Sequence, residues 1–408
     1  MTTSIKRTLS KSIASVSSGF KVLLLTGPRQ VGKTTLLQTV DKKRRSYVTL
    51  DDLTQRAAAL SDPAGFIHGL KLPVLIDEVQ YAPSLFPYIK IAVDKNQKHG
   101  EFWLTGSQQF EMMKNVTESL AGRVGILHLQ GITLAEEQGR TTDAPFLPEA
   151  RLLKKRRESA RSLTTHQAFQ KIWRGSYPAM VIRKGKNWEQ FYDSYVSTYI
   201  QRDVQDYLGI KSKATFLKFM QIAAARTGQL VNYADIAADV GVSQVTIKSW
   251  LNVLQASGIV RLLQPYHRNQ TKRLVKTPKL YFMDTGLCAF LTGWLSPEVL
   301  ERGAMAGAML ETYVVSEIIK SYLHNGRTPR VYFYRDNKKN EVDLLIEENG
   351  TLYPLEIKKT ASPSRADCKA FDYLKGVKTP IGHGGVICFV STLVPLAEGI
   401  DAIPVGYL

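Results

Sequence analysis

Short apolar segments alternate with polar, Gly-rich turns over the first third of the chain. The segments are FKVLLL from Phe20, YVTLDDL from Tyr47, PVLIDEVQ from Pro73 and EFWLTGSQQ from Glu101. Strands buried on both faces of a parallel sheet have continuous apolar runs of this kind, with helical stretches between them. The pattern therefore predicts one α/β domain with a parallel sheet over residues 1–135.

The rest of the chain divides into three segments with different patterns. Residues 136–210 combine a Pro-containing, strongly basic linker with helical periodicity. Residues 211–290 have the pattern of three short helices followed by two strands, and residues 291–408 that of a helix followed by alternating strands. We therefore expect a helical and a mixed α/β unit after the first domain, without repeats.

Length and charge narrow the class of protein. At roughly 150 residues per domain, 408 residues hold two or three domains, and a content of 44% hydrophobic and 22% charged residues is that of a globular protein. The net charge of +18 favours a polyanionic partner, either nucleic acid or an anionic membrane surface. Residues 136–290, with 24 basic and 12 acidic side chains, carry most of the excess. The simplest interpretation of the basic linker itself is a solvated surface segment.

Cysteine usage and the absence of long apolar runs indicate the compartment. The three cysteines are odd in number and widely spaced, which supports neither a disulfide framework nor a cysteine zinc site. No run approaches the ~20 apolar residues that cross a bilayer, and the first residues lack a signal-peptide core. We expect a cytoplasmic protein with no membrane contact.

A phosphate-binding loop follows the first predicted strand. The pattern G-x-x-x-x-G-K-[ST] lies between a buried strand and a helix start, where backbone N–H groups and the helix N-terminus can bind an anion. A Gly-rich turn without function is the alternative. We expect Lys33 to reach the terminal phosphates of ATP and Thr34 to bind Mg²⁺. The predicted ATP/ADP-binding residues are Gly27, Pro28, Arg29, Gln30, Val31, Gly32, Lys33, Thr34 and Thr35.

Two further strands end in polar residues that suit ATP hydrolysis. Asp77 and Glu78 follow the run Val74-Leu-Ile, so Asp77 can hold Mg²⁺ while Glu78 polarises the attacking water. An exposed acidic turn is the alternative. Ser107, after the strand Phe102-Trp-Leu-Thr, can sense the γ-phosphate unless it lies in a plain turn.

Residues 20–134 resemble the AAA-like P-loop ATPases of bacteria and archaea. The resemblance rests on the Asp-Glu pair followed by Leu104-Thr-Gly-Ser107 and Leu120-Ala-Gly-Arg123, and it continues through Trp173-Arg-Gly-Ser-Tyr-Pro178 and Tyr199-Ile-Gln-Arg-Asp-Val204. Gly175-Ser176 replaces the family's more usual Gly-Gly. The resemblance implies that Arg123 is an arginine finger or sensor, acting in cis or on the nucleotide of a neighbour in a homo-oligomer. A structural surface arginine is the alternative.

The segment 211–290 resembles a winged-helix domain. Val231–Ser243 and the following helix have the helix-turn-helix pattern, with Ile247, Trp250, Leu251 and Leu254 at helical spacing. No acidic residue occurs between Val240 and Met283, while seven cations do: Lys248, Arg261, Arg268, Lys272, Arg273, Lys276 and Lys279. This charge favours phosphate contacts with DNA, although winged helices also dock proteins.

Carboxylates and a lysine recur in the C-terminal strands. Glu356 and Lys358 share one face of a strand, and an adjacent strand can bring Asp343 beside them, so that two carboxylates bind Mg²⁺ while Lys358 activates water. Glu311, on the preceding helix, is a further candidate ligand. This order resembles the restriction-endonuclease-like, PD-(D/E)xK fold, in which the domain either cleaves DNA or only binds nucleic acid or a partner.

The sequence as a whole predicts an ATPase that couples its nucleotide state to DNA. ATP and Mg²⁺ are the expected cofactors, and Mg²⁺-dependent DNA cleavage at residues 291–408 is an additional hypothesis. The alternative is a nucleotide-operated switch whose downstream domains bind protein partners without cleavage.

Overall fold

The computed structural model describes residues 5–42, 44–96, 98–106, 119–199, 212–267 and 277–408. Its first unit is a five-stranded sheet in the order β2-β3-β4-β1-β5, in which all strands are parallel. The strands are β1 Val22–Thr26, β2 Ser46–Thr49, β3 Val74–Asp77, β4 Phe102–Gly106 and β5 Val124–His128. The α/β prediction for this region is confirmed at this level.

Helices flank this sheet on both faces. They are α1 Ser10–Gly19, α2 Lys33–Val40, α3 Leu53–Ser61, α4 Pro63–Gly69, α5 Leu85–Lys95 and α6 Leu134–Glu137, with a 3-10 turn at Val79–Tyr81. Because side chains alternate along a strand, Leu23 and Leu25 pack into a core shared with the downstream domains, while Val22 and Leu24 pack into a second core.

The middle of the chain is helical. It contains α7 Ala150–Ser159, α8 Thr165–Arg174, α9 Pro178–Ile182, α10 Trp188–Tyr199, α11 Lys213–Ala225, α12 Tyr233–Val240 and α13 Gln244–Ala256, then β6 Val260–Leu263 and β7 Lys279–Phe282. Ser243 caps α13 by accepting a hydrogen bond from the Thr246 N–H. β6 and β7 form an antiparallel pair, so three helices precede two strands as predicted.

The C-terminal unit is a mixed six-stranded sheet in the order β12-β13-β11-β10-β9-β8. The helices and strands that follow β7 are α14 Thr285–Leu291, α15 Pro297–Arg302, α16 Ala306–His324, β8 Val331–Arg335, β9 Glu341–Glu348, β10 Thr351–Ile357, β11 Gly384–Cys388, β12 Val394–Ala397 and β13 Ile400–Pro404. Two 3-10 segments lie at Arg365–Gly376 and Val405–Tyr407. Among the described residues, no helix is long and apolar enough to cross a membrane.

Candidate functional site

The predicted phosphate loop connects β1 to α2 at the carboxyl edge of the parallel sheet. Gly27 has φ +149°, and a Cβ there would lie 1.9 Å from the carbonyl oxygen of Leu129, so only glycine fits. Gly32, at the N-cap of α2, is left-handed with φ +87°. The two glycines of the motif therefore meet backbone requirements of the loop.

Lys33 lies within the curl of the loop. It is buried, and its Nζ donates hydrogen bonds to the carbonyl oxygens of Gly27, at 3.1 Å, and Pro28, at 3.0 Å. The first turn of α2 thus presents an ammonium and a helix N-terminus on one side, an arrangement that suits a polyphosphate. Of the other loop residues, Val31 is buried, whereas Gln30 and Thr35 are exposed.

Asp77 connects three elements at the same edge. Its Oδ1 accepts hydrogen bonds from the hydroxyl of Thr34, at 2.7 Å, and from that of Thr105. Its Oδ2 accepts one from the hydroxyl of Tyr47 on β2, at 3.0 Å. Burial and the negative charge of Asp77 raise the pKa of Tyr47 to about 12. Thr34 and Asp77 therefore place oxygen ligands of the type that Mg²⁺ prefers beside the loop.

Glu78 follows Asp77 in a left-handed conformation, with φ +56°. Its backbone N–H donates to the Thr105 hydroxyl at 3.2 Å, and its carboxylate accepts a hydrogen bond from the Gln80 amide. A non-glycine residue in this conformation is uncommon and often marks a functional site. Thr34, Asp77 and Glu78 thus converge as predicted, while Ser107 lies outside the described residues.

Arg123 lies far from this site in its own chain. It immediately precedes β5, and since Val124 pairs with Val22 in a parallel register, Arg123 is at the amino edge of the sheet, opposite the phosphate loop. Its guanidinium binds both carboxylate oxygens of Asp94, at 2.5 and 2.9 Å. The side chain is partly exposed. The structure therefore contradicts a role in cis, and a role on a neighbour's nucleotide stays a proposal.

Asp343 on β9 and Glu356 on β10 come together with Lys358, which directly follows β10. The Asp343 N–H donates to a Glu356 carboxylate oxygen at 3.3 Å, the Ile357 N–H donates to Asp343 Oδ2 at 2.9 Å, and Lys358 Nζ lies 2.6 Å from Glu356 Oε2. Burial, reinforced by the charge of Asp343, raises the pKa of Glu356 to about 8. The adjacency that strand geometry predicts is therefore present.

The carboxylate of Glu311 has other hydrogen-bond partners, on β7. On α16, its Oε1 accepts hydrogen bonds from Lys279 Nζ, at 3.1 Å, and from the hydroxyl of Tyr281. Burial raises the pKa of Glu311, although Lys279 opposes this shift. Within the described ranges, no group of three or more His, Cys, Asp or Glu residues could hold a metal ion. The expectation that Glu311 joins Asp343 and Glu356 as a metal ligand therefore stays a prediction.

The seven cations predicted to face DNA differ in their exposure to solvent. Lys279 is only 4% exposed and is paired with Glu311 and Glu341, so its assignment to a DNA surface is wrong. Arg261 is half-buried, and desolvation lowers its pKa. Lys248 is exposed on α13. The remaining four, Arg268, Lys272, Arg273 and Lys276, lie outside the described residues.

Two residues of the ATP-side site were not predicted from the sequence. Gln80 contacts Glu78, and Tyr47 contacts Asp77. Gln80 follows the Asp-Glu pair by two residues, so its proximity was a usable sequence signal. Tyr47 comes from a different strand, and only the pairing of β2 with β3 brings it near.

Comparison with known proteins gives three family matches and curated relatives. Residues 19–137 match an AAA domain, residues 165–298 a domain of unknown function (DUF8612), and residues 306–408 a domain of unknown function (DUF4143). The uncharacterized proteins Rv2008c of Mycobacterium tuberculosis and Mb2031c of Mycobacterium bovis are each 30% identical over 386 residues, which is 94% of this chain and 80% of theirs.

Among solved structures, the Walker-type ATPase PABY2304 of Pyrococcus abyssi is 15% identical, with a TM-score of 0.45. The match covers 69% of this chain and 94% of that one. The mycobacterial match extends over nearly the whole chain, and the AAA domain contains the loop, strand and carboxylate arrangement described above. The chain therefore belongs to the same family as these mycobacterial proteins, a family of P-loop ATPases with a DUF4143 domain at the C-terminal end.

Proposed function

We propose that this chain hydrolyses ATP at the phosphate loop and uses its nucleotide state to control DNA binding by residues 211–290. The observation that carries ATP hydrolysis is the 2.7 Å contact between the Thr34 hydroxyl and Asp77, next to the buried Lys33. When bound there, Mg²⁺ would neutralise phosphate charge. Lys33 binds the terminal phosphates, and Glu78 accepts the proton of the attacking water.

Two substitutions test ATP hydrolysis. We expect Lys33→Ala to lower turnover by about 100-fold or more, since it removes the cation that contacts the transferred phosphoryl group. We expect Glu78→Gln to retain ATP binding but to lose turnover. Lys42→Ala, which removes an exposed lysine at the end of α2, is the matched control. Wild-type rates of phosphate release in both site variants would refute the assignment.

The downstream domains support a nucleic-acid role only in part. The three helices α11–α13 and the pair β6–β7 have the order of a winged helix, and Lys248 is exposed on α13. The burial of Lys279 and the partial burial of Arg261 leave fewer cations for DNA than the sequence indicates, which favours the second candidate, a switch that docks a protein partner. Salt-sensitive DNA binding separates the two candidates.

Residues 306–408 are proposed to hydrolyse phosphodiesters with Mg²⁺. Asp343 and Glu356 supply adjacent carboxylates, and Lys358 supplies a cation that can stabilise charge on the phosphate. The test is Mg²⁺-dependent cleavage of single-stranded, duplex and branched DNA, which we expect both Asp343→Ala and Lys358→Ala to abolish. Cleavage that survives both changes would come from a contaminant and would contradict the proposal.

A further inference from the structure

Gln80 is a buried amide placed directly against the proposed catalytic carboxylate. It lies in the 3-10 turn Val79–Tyr81 that follows β3 and is 8% exposed. Its Nε2 donates a hydrogen bond to Oε2 of Glu78. The turn thus brings a neutral donor to a carboxylate that the left-handed backbone of Glu78 has already turned out of the strand.

The other end of the same amide has no protein partner. Gln80 Oε1 is buried and accepts no hydrogen bond within the described part of the chain. A buried acceptor without a partner costs about 1–3 kcal/mol, so such atoms in native proteins call for an explanation such as an internal water or a functional role. This oxygen belongs to a side chain that contacts Glu78, the residue next to the Mg²⁺ candidate Asp77.

We propose that Gln80 is a positioning residue for ATP hydrolysis, an inference that rests on the proposed function. Its Nε2 fixes the Glu78 carboxylate, and its Oε1 accepts one hydrogen bond from the attacking water while Glu78 accepts the other. A water that donates both hydrogens directs a lone pair at phosphorus. As the water oxygen bonds to the γ-phosphorus and the bond to the β-phosphate oxygen breaks, the proton passes to Glu78 and ADP leaves.

The principal test is Gln80→Leu, which keeps a similar volume and removes both hydrogen-bonding groups. We expect turnover to fall by about 10- to 100-fold while affinity for a fluorescent ATP analogue is retained, because the lost interaction acts on the water and not on the bound nucleotide. Tyr81→Phe, in the same turn, is the matched control and should keep wild-type turnover. Thermal unfolding checks that both variants are folded.

A double variant tests whether Gln80 acts through Glu78. Groups that work as a unit are not additive, so Gln80→Leu should cause no further loss of the residual turnover that Glu78→Gln retains. If Gln80→Leu folds poorly, Gln80→Glu, which places a second carboxylate against Glu78, should also lower turnover.

Two results would overturn the inference. One is wild-type turnover in Gln80→Leu, and the other is an equal fold-loss with and without the Glu78 carboxylate. Failure of the proposed function is distinct, since wild-type protein would then release no phosphate or Lys33→Ala would remain active.

Discussion

At the scale of single residues, the buried ammonium of Lys279 neutralises the carboxylates of Glu311 and Glu341 in the C-terminal domain. Its Nζ lies 3.1 Å from Glu311 Oε1 and 2.5 Å from Glu341 Oε1, and its side chain is 5% exposed. Glu341 also contacts Arg335, at 2.9 Å. Although burial lowers the pKa of Lys279, the surrounding carboxylates outweigh it and raise that pKa, so the ammonium remains charged. A strand of the middle unit thus supplies a cation to the C-terminal domain.

Lys279→Met keeps the apolar stem and removes this charge. We expect the free energy of unfolding to fall by about 3 kcal/mol, the lower end of the usual cost of breaking a buried ion pair, because Glu341 is partly exposed. We also expect Mg²⁺ to recover part of this loss, since it can bind the carboxylates that Lys279 leaves. Urea unfolding with and without Mg²⁺ measures both effects.

Lys369→Met is the control for Lys279→Met, because Lys369 is exposed. Surface substitutions usually change stability by less than about 0.5 kcal/mol. If Lys279→Met also changed the free energy of unfolding by less than about 0.5 kcal/mol, the ion pairs of Lys279 would not stabilise the fold as predicted. If Lys279→Met lost the expected stability and Mg²⁺ restored none of it, the prediction that the carboxylates of Glu311 and Glu341 bind a divalent cation would be wrong.

At the scale of elements, complete burial made three strands of the parallel sheet predictable, although the half-exposed edge strand β2 was also predicted. β1, β3 and β4 are buried along their whole length, and their apolar runs predict them. β5 is half-buried at the edge of the sheet, so its apolar pattern is weaker and the sequence does not predict it. β12 is short, mostly exposed and contains Pro395, which explains why it was also missed.

The arrangement of elements decided which site residues could be predicted. Thr34 follows β1 through the phosphate loop, Asp77 is the last residue of β3 and Glu78 follows it. The carboxyl ends of parallel strands share an edge, so local motifs suffice to group these residues. Arg123 precedes its strand and therefore lies at the opposite edge. Glu311 depends on how α16 packs against β7, which no local pattern reveals.

At the scale of the whole molecule, the phosphate loop contacts the downstream domains directly. Gly258, just after α13, has φ +73°, and a Cβ there would lie 3.0 Å from Pro28 Cγ. Arg7 donates to the Val31 carbonyl at 3.1 Å and pairs with Glu136 at 3.0 Å. The approach of Gly258 to Pro28 places the loop against the end of α13.

A second route from the loop leads to α16. Glu136, the partner of Arg7, lies 3.1 Å from Nδ1 of His324, the last residue of that helix. Although burial raises the pKa of Glu136, the positive charges near it outweigh this effect and hold the pKa well below its usual range. The carboxylate therefore stays ionised between the phosphate loop and the C-terminal unit. A loop that shifts on nucleotide binding would thus act on both downstream units.

The overall positive charge gives the final prediction, which concerns Lys272, Arg273 and Lys276 of the sequence. If these cations contact DNA phosphates, each contributes about 0.9 to the steepness with which log affinity falls against log salt concentration. Changing all three to Gln should therefore reduce this steepness by about 2.7. DNA affinity measured between 50 and 200 mM salt provides the slopes.

The matched control changes Arg151, Lys154 and Arg157 to Gln, which removes three exposed charges from α7 instead. If both triple variants changed the salt dependence of DNA affinity equally, binding would depend on net charge alone and not on Lys272, Arg273 and Lys276. Absence of DNA binding by wild-type protein at low salt would favour the protein-docking switch, because the phosphate term is strongest there.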